Sequence, residues 1–400
     1  MVPVVLLGGL ALVRALGLAR IPVLIACVER DAPATASRYC AGTIALPPFD
    51  ADAASRRAAV EALIGAGREL RARHGAPAPL FYGDDERLAL VQEYRAELAP
   101  HFALLLNEPA LADALLDKRA FQALAERAGL PVPRRIEAQR LQAERFPVLV
   151  KPQLKTAWER SSVNLQLFGG AGKARVFASG AEAAADPLVR RLAGQLAFQE
   201  YIPGGDEAIW SFHGFAAPDG EILAWFVGRK IRTYPELTGD SAYLRLAHDD
   251  AVAALGFELA ERLRLAGVFK MDFKRSAASG RLYLLEINAR FNLWHYLGAR
   301  NGVNLTQVAY EFLTAGRRPQ PAAARTRWRW LALRKDWRAY QELSARGRLN
   351  FARWLLSLAY VPKVYETFAW TDPMPFLRFW NARLRSAAAR RLHRWLATAS

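Results

Sequence analysis

The chain opens on an uninterrupted apolar run at residues 4–7, followed by a Gly8-Gly9 turn, an apolar helical stretch over 10–18 and a second apolar run at 22–28. Runs this short, bounded by glycine and proline, read as buried strands, so the opening is strand, helix, strand. An Ala/Leu/Arg helix over 54–73 and a strand at 79–82 ending in Gly83-Asp84-Asp85 continue the alternation. That pattern predicts an open parallel α/β sheet over residues 1–107. The acids at the strand end can serve a site at the sheet's carboxyl edge or cap the next helix, and the cap is the plainer reading. A helix over 113–129 stops at Gly129-Leu130-Pro131-Val132-Pro133. Strands are predicted at 146–151, 165–168 and 196–202. A hairpin follows, with strands 208–215 and 221–227 turning at Pro218-Asp219-Gly220. A helix over 249–265 leads to two last strands, 268–274 and 282–290.

The composition, 52% hydrophobic and 23% charged over 400 residues, is that of a globular chain of two or three units. It excludes a disordered, collagenous or coiled-coil protein. No apolar run reaches the roughly 18–20 residues that span a bilayer. The apolar N-terminus has no basic residues before it and no small-residue cleavage pattern after it, so a secretory signal is not expected. Two cysteines, Cys27 and Cys40, point to a reducing compartment, and a cytoplasmic location is the expectation.

The net charge of +17 is unevenly placed. Residues 317–400 hold 18 Lys and Arg against four acids, and seven of the eleven tryptophans. Basic residues interleaved with aromatics suit a helical appendage packed on the main body. A peripheral membrane surface or an acidic partner is the second reading, and nucleic acid is not expected. Tryptophan-rich tails also suit a homodimer interface.

The last two strands carry the most chemistry. Alternation puts Lys270, Asp272 and Lys274 on one face of the first, and Glu286, Asn288 and Arg290 on one face of the second. A hairpin centred near Ser279 sets Asp272 opposite Glu286. Facing carboxylates repel unless a cation lies between them. Asp, Glu and Asn together make an all-oxygen donor set suited to magnesium. The competing reading is a solvated polar face with cross-strand ion pairs through Lys270 and Lys274.

At this point several motifs, in order over residues 1–318, resemble the ATP-grasp superfamily, in the carboligase branch related to biotin carboxylase and the carbamoyl-phosphate synthase large chain. They are Asp117-Lys118-Arg119-Ala120-Phe121, the strand ending Val150-Lys151-Pro152, the segment Gln199-Glu200-Tyr201-Ile202-Pro203-Gly204-Gly205-Asp206-Glu207, the basic Gly228-Arg229-Lys230-Ile231-Arg232, and Asp272 with Glu286-Ile287-Asn288-Ala289-Arg290. The resemblance implies an N-terminal α/β open parallel sheet over 1–107, then a two-lobed α+β ATP-grasp domain over 108–318, its small lobe about 130–203 and its large lobe about 204–318. A basic, Trp-rich helical extension over 319–400 completes the chain.

By resemblance, Lys118 and Lys151 reach nucleotide phosphates, and Glu200, Tyr201 and Ile202 form the hinge that reads adenine. Glu207 contacts ribose, with Asp206 an equal candidate. Arg229 and Lys230 meet the transferring phosphate. Asp272, Glu286 and Asn288 hold Mg2+ (or Mn2+), and Arg290 stabilises the phosphoryl group. Asn292 and His295 fall on the substrate side, although a packed histidine is the commoner role for His295. The implied reaction is ATP-dependent joining of a small-molecule carboxylate to an amine or other nucleophile through an acyl phosphate, with release of ADP and phosphate. The alternative is a non-catalytic ATP-binding scaffold that docks through its basic tail. One departure stands out: residues 152–164 hold no glycine where relatives carry a glycine-rich phosphate loop. Lys155, Arg160, Ser161 and Ser162 offer side chains there instead. Gly169-Gly170-Ala171-Gly172-Lys173 lacks phosphate-loop spacing and reads as a turn.

Overall fold

The computed structural model describes residues 1–29, 32–49, 52–153, 166–168, 172, 174–359 and 361–385. Among them the strands form three sheets. Strands β1 (Val4–Leu7), β2 (Val23–Cys27), β3 (Cys40–Ala45), β4 (Ala78–Tyr82) and β5 (Phe102–Ala103) make an all-parallel sheet in the order β3-β2-β1-β4-β5. All four side chains of β1 are fully buried, because helix Leu10–Leu18 packs on one face of the sheet and Ala53–His74 on the other.

A second, antiparallel sheet joins β6 (Arg135–Ile136), β7 (Val148–Pro152), β8 (Arg175–Phe177) and β9 (Leu196–Glu200) in the order β6-β9-β7-β8. It has its own core, built on Val148, Val150, Phe177 and Phe198. The third sheet holds β10 (Ile209–Ala216), β11 (Ile222–Tyr234), β12 (Asp240–Leu246), β13 (Gly267–Arg275), β14 (Leu282–Asn288), β15 (Arg329–Leu331) and β16 (Lys363–Tyr365), ordered β14-β13-β10-β11-β12-β15-β16. Helix Asp250–Arg262 covers one of its faces. Its other face shares a continuous core with the parallel sheet through Phe226, Leu244 and Trp294.

Three details differ from the sequence reading. The helix expected over 113–129 is two helices, Pro109–Leu116 and Lys118–Arg127. Asp117 adopts an extended backbone between them and caps the second, accepting from the amides of Arg119 and Ala120 at 2.8 Å. Residues 166–168 are helical, where a strand was expected. The extension is only partly helical: β15 and β16 extend the third sheet, so the chain beyond residue 318 is built into it.

Two buried ion pairs hold that extension. Asp336, in helix Leu333–Ala345, receives Arg232 Nε at 2.6 Å and Nη2 at 3.0 Å, with Trp354 Nε1 at 2.8 Å. Asp372 receives Arg14 Nε at 2.9 Å, and Arg14 lies on the first helix of the chain. Trp330 and Trp354 are buried, as the reading of an appendage packed on the main body expects, rather than left for a membrane or an acidic partner. No helix among the described residues is long and apolar enough to cross a membrane.

Candidate functional site

The β13–β14 hairpin closes through Gly280, at φ +70°, whose amide donates to Ser276 O at 2.8 Å. Near the turn the register pairs Phe273 with Leu284; one step further it pairs Asp272 with Glu286. The strand therefore skips Leu285. Without this bulge Asp272 would face an apolar residue, and Glu286 and Asn288 would be displaced by one position from Asp272 and Lys270. With it, Asp272 opposes Glu286 and Lys270 opposes Asn288.

Asp272 is buried. Its carboxylate accepts from Ser211 Oγ on β10 and pairs with Lys270 Nζ at 2.5 Å. Asn288 Nδ2 donates to Glu286 Oε1 at 3.0 Å, and Asn288 Oδ1 accepts from Arg290 Nη2 at 3.2 Å. Among the described residues no group of three or more His, Cys, Asp and Glu side chains forms a metal cage. Two opposed carboxylates with a neighbouring amide oxygen are nonetheless the donor set magnesium takes when phosphates and waters complete its shell. The residues present fit that ion.

Lysines surround the pair. Lys151, at the end of β7, has its ammonium pushed down to about 8, first by burial and then by nearby Lys118, with Glu286 opposing. Lys118 Nζ donates to Pro152 O at 3.3 Å, which brings it to the end of β7 beside Lys151. Lys230 on β11 is lowered by burial above all, while Asp272 and Glu286 pull it back up. Arg229, its neighbour, lies on the other face: it pairs across the strands with Trp210, stacks 5.0 Å from that ring and donates to Glu207 O. Trp210 belongs to the core under helix Asp250–Arg262. The structure thus brings Lys230 to the carboxylates and turns Arg229 away, because adjacent residues of a strand point oppositely.

In the segment expected to form the hinge, Glu200 N donates to Arg134 O and Glu200 Oε1 accepts from Arg134 N, both at 3.0 Å. Tyr201 N donates to Pro147 O at 2.9 Å, whereas the Ile202 amide has no hydrogen-bond partner among the described residues. Asp206 is committed: buried, it accepts from Thr233 N at 2.6 Å, Thr233 Oγ1 at 2.8 Å and Leu237 N at 2.9 Å. Burial raises its carboxyl, against those hydrogen bonds. Lys274, not among the residues singled out from the motifs, lies 4.1 Å over the Tyr201 ring. Its ammonium is lowered to about 8 by burial, with Asp206 and Glu207 opposing. The signal for it was its place in the Lys270–Asp272–Lys274 row.

Arg290 leaves the row toward the N-terminal domain. Its Nε donates to Asp85 and its Nη1 reaches Gly83 O at 3.5 Å. Asp84 caps the helix at Asp85–Glu93, the plainer of the two roles the sequence offered, while Asp85 is the ion-pair partner of Arg290. Asn292 lines a cavity of about 1120 Å³ beside Arg290. His295 does not: its ring is fully buried, Nδ1 lies 2.9 Å from Asn292 N, and burial lowers it to about 4. A ring packed between Phe291 and His213 is a core histidine. Lys155, Arg160, Ser161, Ser162 and the glycine-free loop from residue 154 on lie outside the described residues, as do all but Gly172 of the 169–173 turn.

No family model matches this chain, and no curated protein sequence does. Solved structures do. A biotin carboxylase from Campylobacter jejuni, in a complex with a β,γ-ATP ligand, is similar over 82% of this chain and 74% of its own, with a TM-score of 0.60 and 12% identity. N5-carboxyaminoimidazole synthetase from Staphylococcus aureus complexed with ADP gives 0.57 at 12% identity, covering 81% and 80%. An L-amino acid ligase from Bacillus licheniformis gives 0.53 at 13% identity, covering 78% and 73%. With its parallel N-terminal sheet, its small antiparallel lobe and the larger sheet that carries Asp272 and Glu286, the chain has the ATP-grasp fold.

Proposed function

We propose that the protein is an ATP- and magnesium-dependent ligase that joins a carboxylate to an amine or other nucleophile. The observation that carries this is that Lys151 and Lys230, on two different sheets, are both within electrostatic reach of the facing carboxylates: Lys151, beside Lys118, of Glu286, and Lys230 of Asp272 and Glu286. Asp272, Glu286 and Asn288 would hold Mg2+, which supplies charge neutralisation at the phosphates. The lysines offset the phosphate charge that remains. The Ile202 amide reads the adenine edge and Glu207 the ribose, since Asp206 is already committed.

In the reaction a carboxylate oxygen attacks the γ-phosphorus, and the bond from that phosphorus to the bridging oxygen breaks to release ADP. The amine then attacks the acyl carbon and loses a proton as the acyl–oxygen bond breaks and phosphate leaves. Arg290, which bonds Asn288 of that row and Asp85 of the N-terminal domain, would steady the transferring group. Similarity to a biotin carboxylase, a carboxyaminoimidazole synthetase and an amino acid ligase supports this class of chemistry without choosing among their substrates.

The test is thermal melting with ATP, with and without Mg2+, on wild type and on Asp272→Asn and Glu286→Gln. At about 100 times the dissociation constant, binding adds about 2.7 kcal/mol, or roughly 5–10 °C in a unit of 150–250 residues. A magnesium-dependent shift in wild type that both isosteric variants lose is the expected result. An equal shift in the variants would remove the metal assignment, and no shift in wild type would overturn the nucleotide site and the ligase reading with it.

A further inference from the structure

The parallel sheet has a switch point. From β1 the chain moves outward to β2 and β3, and from β4 it moves the other way to β5, so the loops after β1 and β4 part at the carboxyl edge. Open parallel sheets bind ligands in such a crevice. Here Gly8, Gly9, Gly83 and Asp84 line one side of the 1120 Å³ cavity, and Arg290 and Asn292 line another. The outer wall comes from the C-terminal extension, with Phe368, Phe376, Phe379 and Trp380 facing in.

The cavity's charge is lopsided. Six Lys and Arg side chains line it against two acids. Arg334, Arg338 and Arg383 have no carboxylate partner among the described residues. Each instead lies over an aromatic ring: Arg334 at 5.6 Å from Trp380, Arg338 at 5.8 Å from Tyr234 and Arg383 at 5.5 Å from Phe379. A volume above the roughly 300–1,000 Å³ of ordinary small-molecule pockets would be left mostly empty by an acid of a few atoms. The wall of stacked aromatics and arginines matches flat or apolar bodies that carry negative charge.

We propose that this cavity binds the carboxylate substrate, and that the substrate is a large organic acid: its reacting carboxylate at Arg290, an aromatic or extended apolar body against the extension, and a further anionic group at Arg334, Arg338 and Arg383. The proposal rests on the ligase reading for the word substrate, but the pocket's preference for a bulky anion stands on the cavity alone.

Two fluorescent probes test it on the full chain: 8-anilinonaphthalene-1-sulfonate, an aromatic anion, and the uncharged N-phenyl-1-naphthylamine of the same ring system. A Cβ at Gly9 would meet nothing within 4 Å, and the backbone there is extended, so the side chain of Gly9→Phe starts in open space on the cavity wall and takes up part of the cavity. It should cost both probes at least tenfold in affinity. Arg334→Gln/Arg338→Gln/Arg383→Gln should cost the anion at least tenfold and the neutral probe under twofold. Equal binding of the anion to wild type and Gly9→Phe would overturn the pocket, and equal losses of both probes in the triple variant would overturn the charge recognition. The magnesium–ATP melting shift is read on the same samples. Its absence from all of them, with probe losses as expected, sinks the ligase reading and leaves the bulky-anion pocket standing. Where the shift is present, ADP release should rise with aryl or long-chain acids and not with acetate or bicarbonate; the reverse order would overturn the substrate class.

Discussion

Removing the Asp372 carboxylate should unseat the outer wall of the cavity. Arg14 and Asp372 are each 1% exposed, on segments 358 residues apart in sequence. Asp372 accepts from Arg14 Nε at 2.9 Å, Ser37 Oγ at 2.8 Å and Arg38 N at 2.9 Å; Arg14 Nη2 also donates to the carbonyls of Thr367 and Asp372. Asp372→Ala leaves a guanidinium buried without its counter-charge, a change that costs about 3–5 kcal/mol. In a cooperative unit of 150–250 residues that is about 6–20 °C of melting temperature. Arg14→Met/Asp372→Leu removes both charges and should recover most of the loss, because an apolar pair of similar volume is often as stable as a buried ion pair. The assay is thermal melting of wild type, both singles and the double, with limited proteolysis to follow release of the chain beyond residue 366. A single variant that melts within 2 °C of wild type, or a double that melts below either single, would refute the reasoning.

Lys151 predicts a pH dependence. A bound phosphate favours the ammonium, so with a free-state value of about 8, nucleotide binding takes up a proton above that pH. Apparent ATP affinity should fall as pH rises through about 8, and Lys151→Gln should be weaker and lose that break; a break of equal size in the variant would assign it elsewhere. The sign for stability is opposite: a lysine lowered from 10.5 makes the unliganded protein gain stability as pH rises from about 8 to 10.5. Gly228→Ala places a methyl 2.2 Å from Cζ3 of Trp294, which is itself buried, and should cost about 1–3 kcal/mol through overpacking. A melting temperature within 1 °C of wild type would count against that contact.

What the sequence made legible depended on whether polarity differed between the two faces of an element. In β13 and β14 the rows Lys270–Asp272–Lys274 and Glu286–Asn288–Arg290 alternate with apolar residues, so the facing carboxylates could be read before any coordinates. The Leu285 bulge that keeps them opposed has no such mark. In β11 the residues before the basic pair are apolar on both faces, Trp225 and Val227 on one and Phe226 and Gly228 on the other. Nothing there told which of Arg229 and Lys230 turns toward the site. β15 and β16 are three residues each, too short for a period, and their pairing is long-range. The break at Asp117 was visible only as a capping residue inside an otherwise helical stretch.

The few acids of the basic tail explain how its charge is used. Of the four in residues 317–400, Asp336 and Asp372 are buried against arginines of the body, Arg232 and Arg14. The other two, Glu342 and Glu366, pair with Arg346 and Lys335 of the tail itself. The tail's acids are thus spent on anchoring it or on local surface pairs, and the positive excess is left over. Part of that excess, Arg334, Arg338 and Arg383, lines the cavity. A tail fixed by buried pairs can hold these arginines in place without ordering them afresh when a ligand arrives, which is the condition under which unpaired cations bind an anion rather than merely attract one. Docking the extension and shaping the cavity are therefore one structural event, and weakening either anchor should lower anion-probe affinity together with stability.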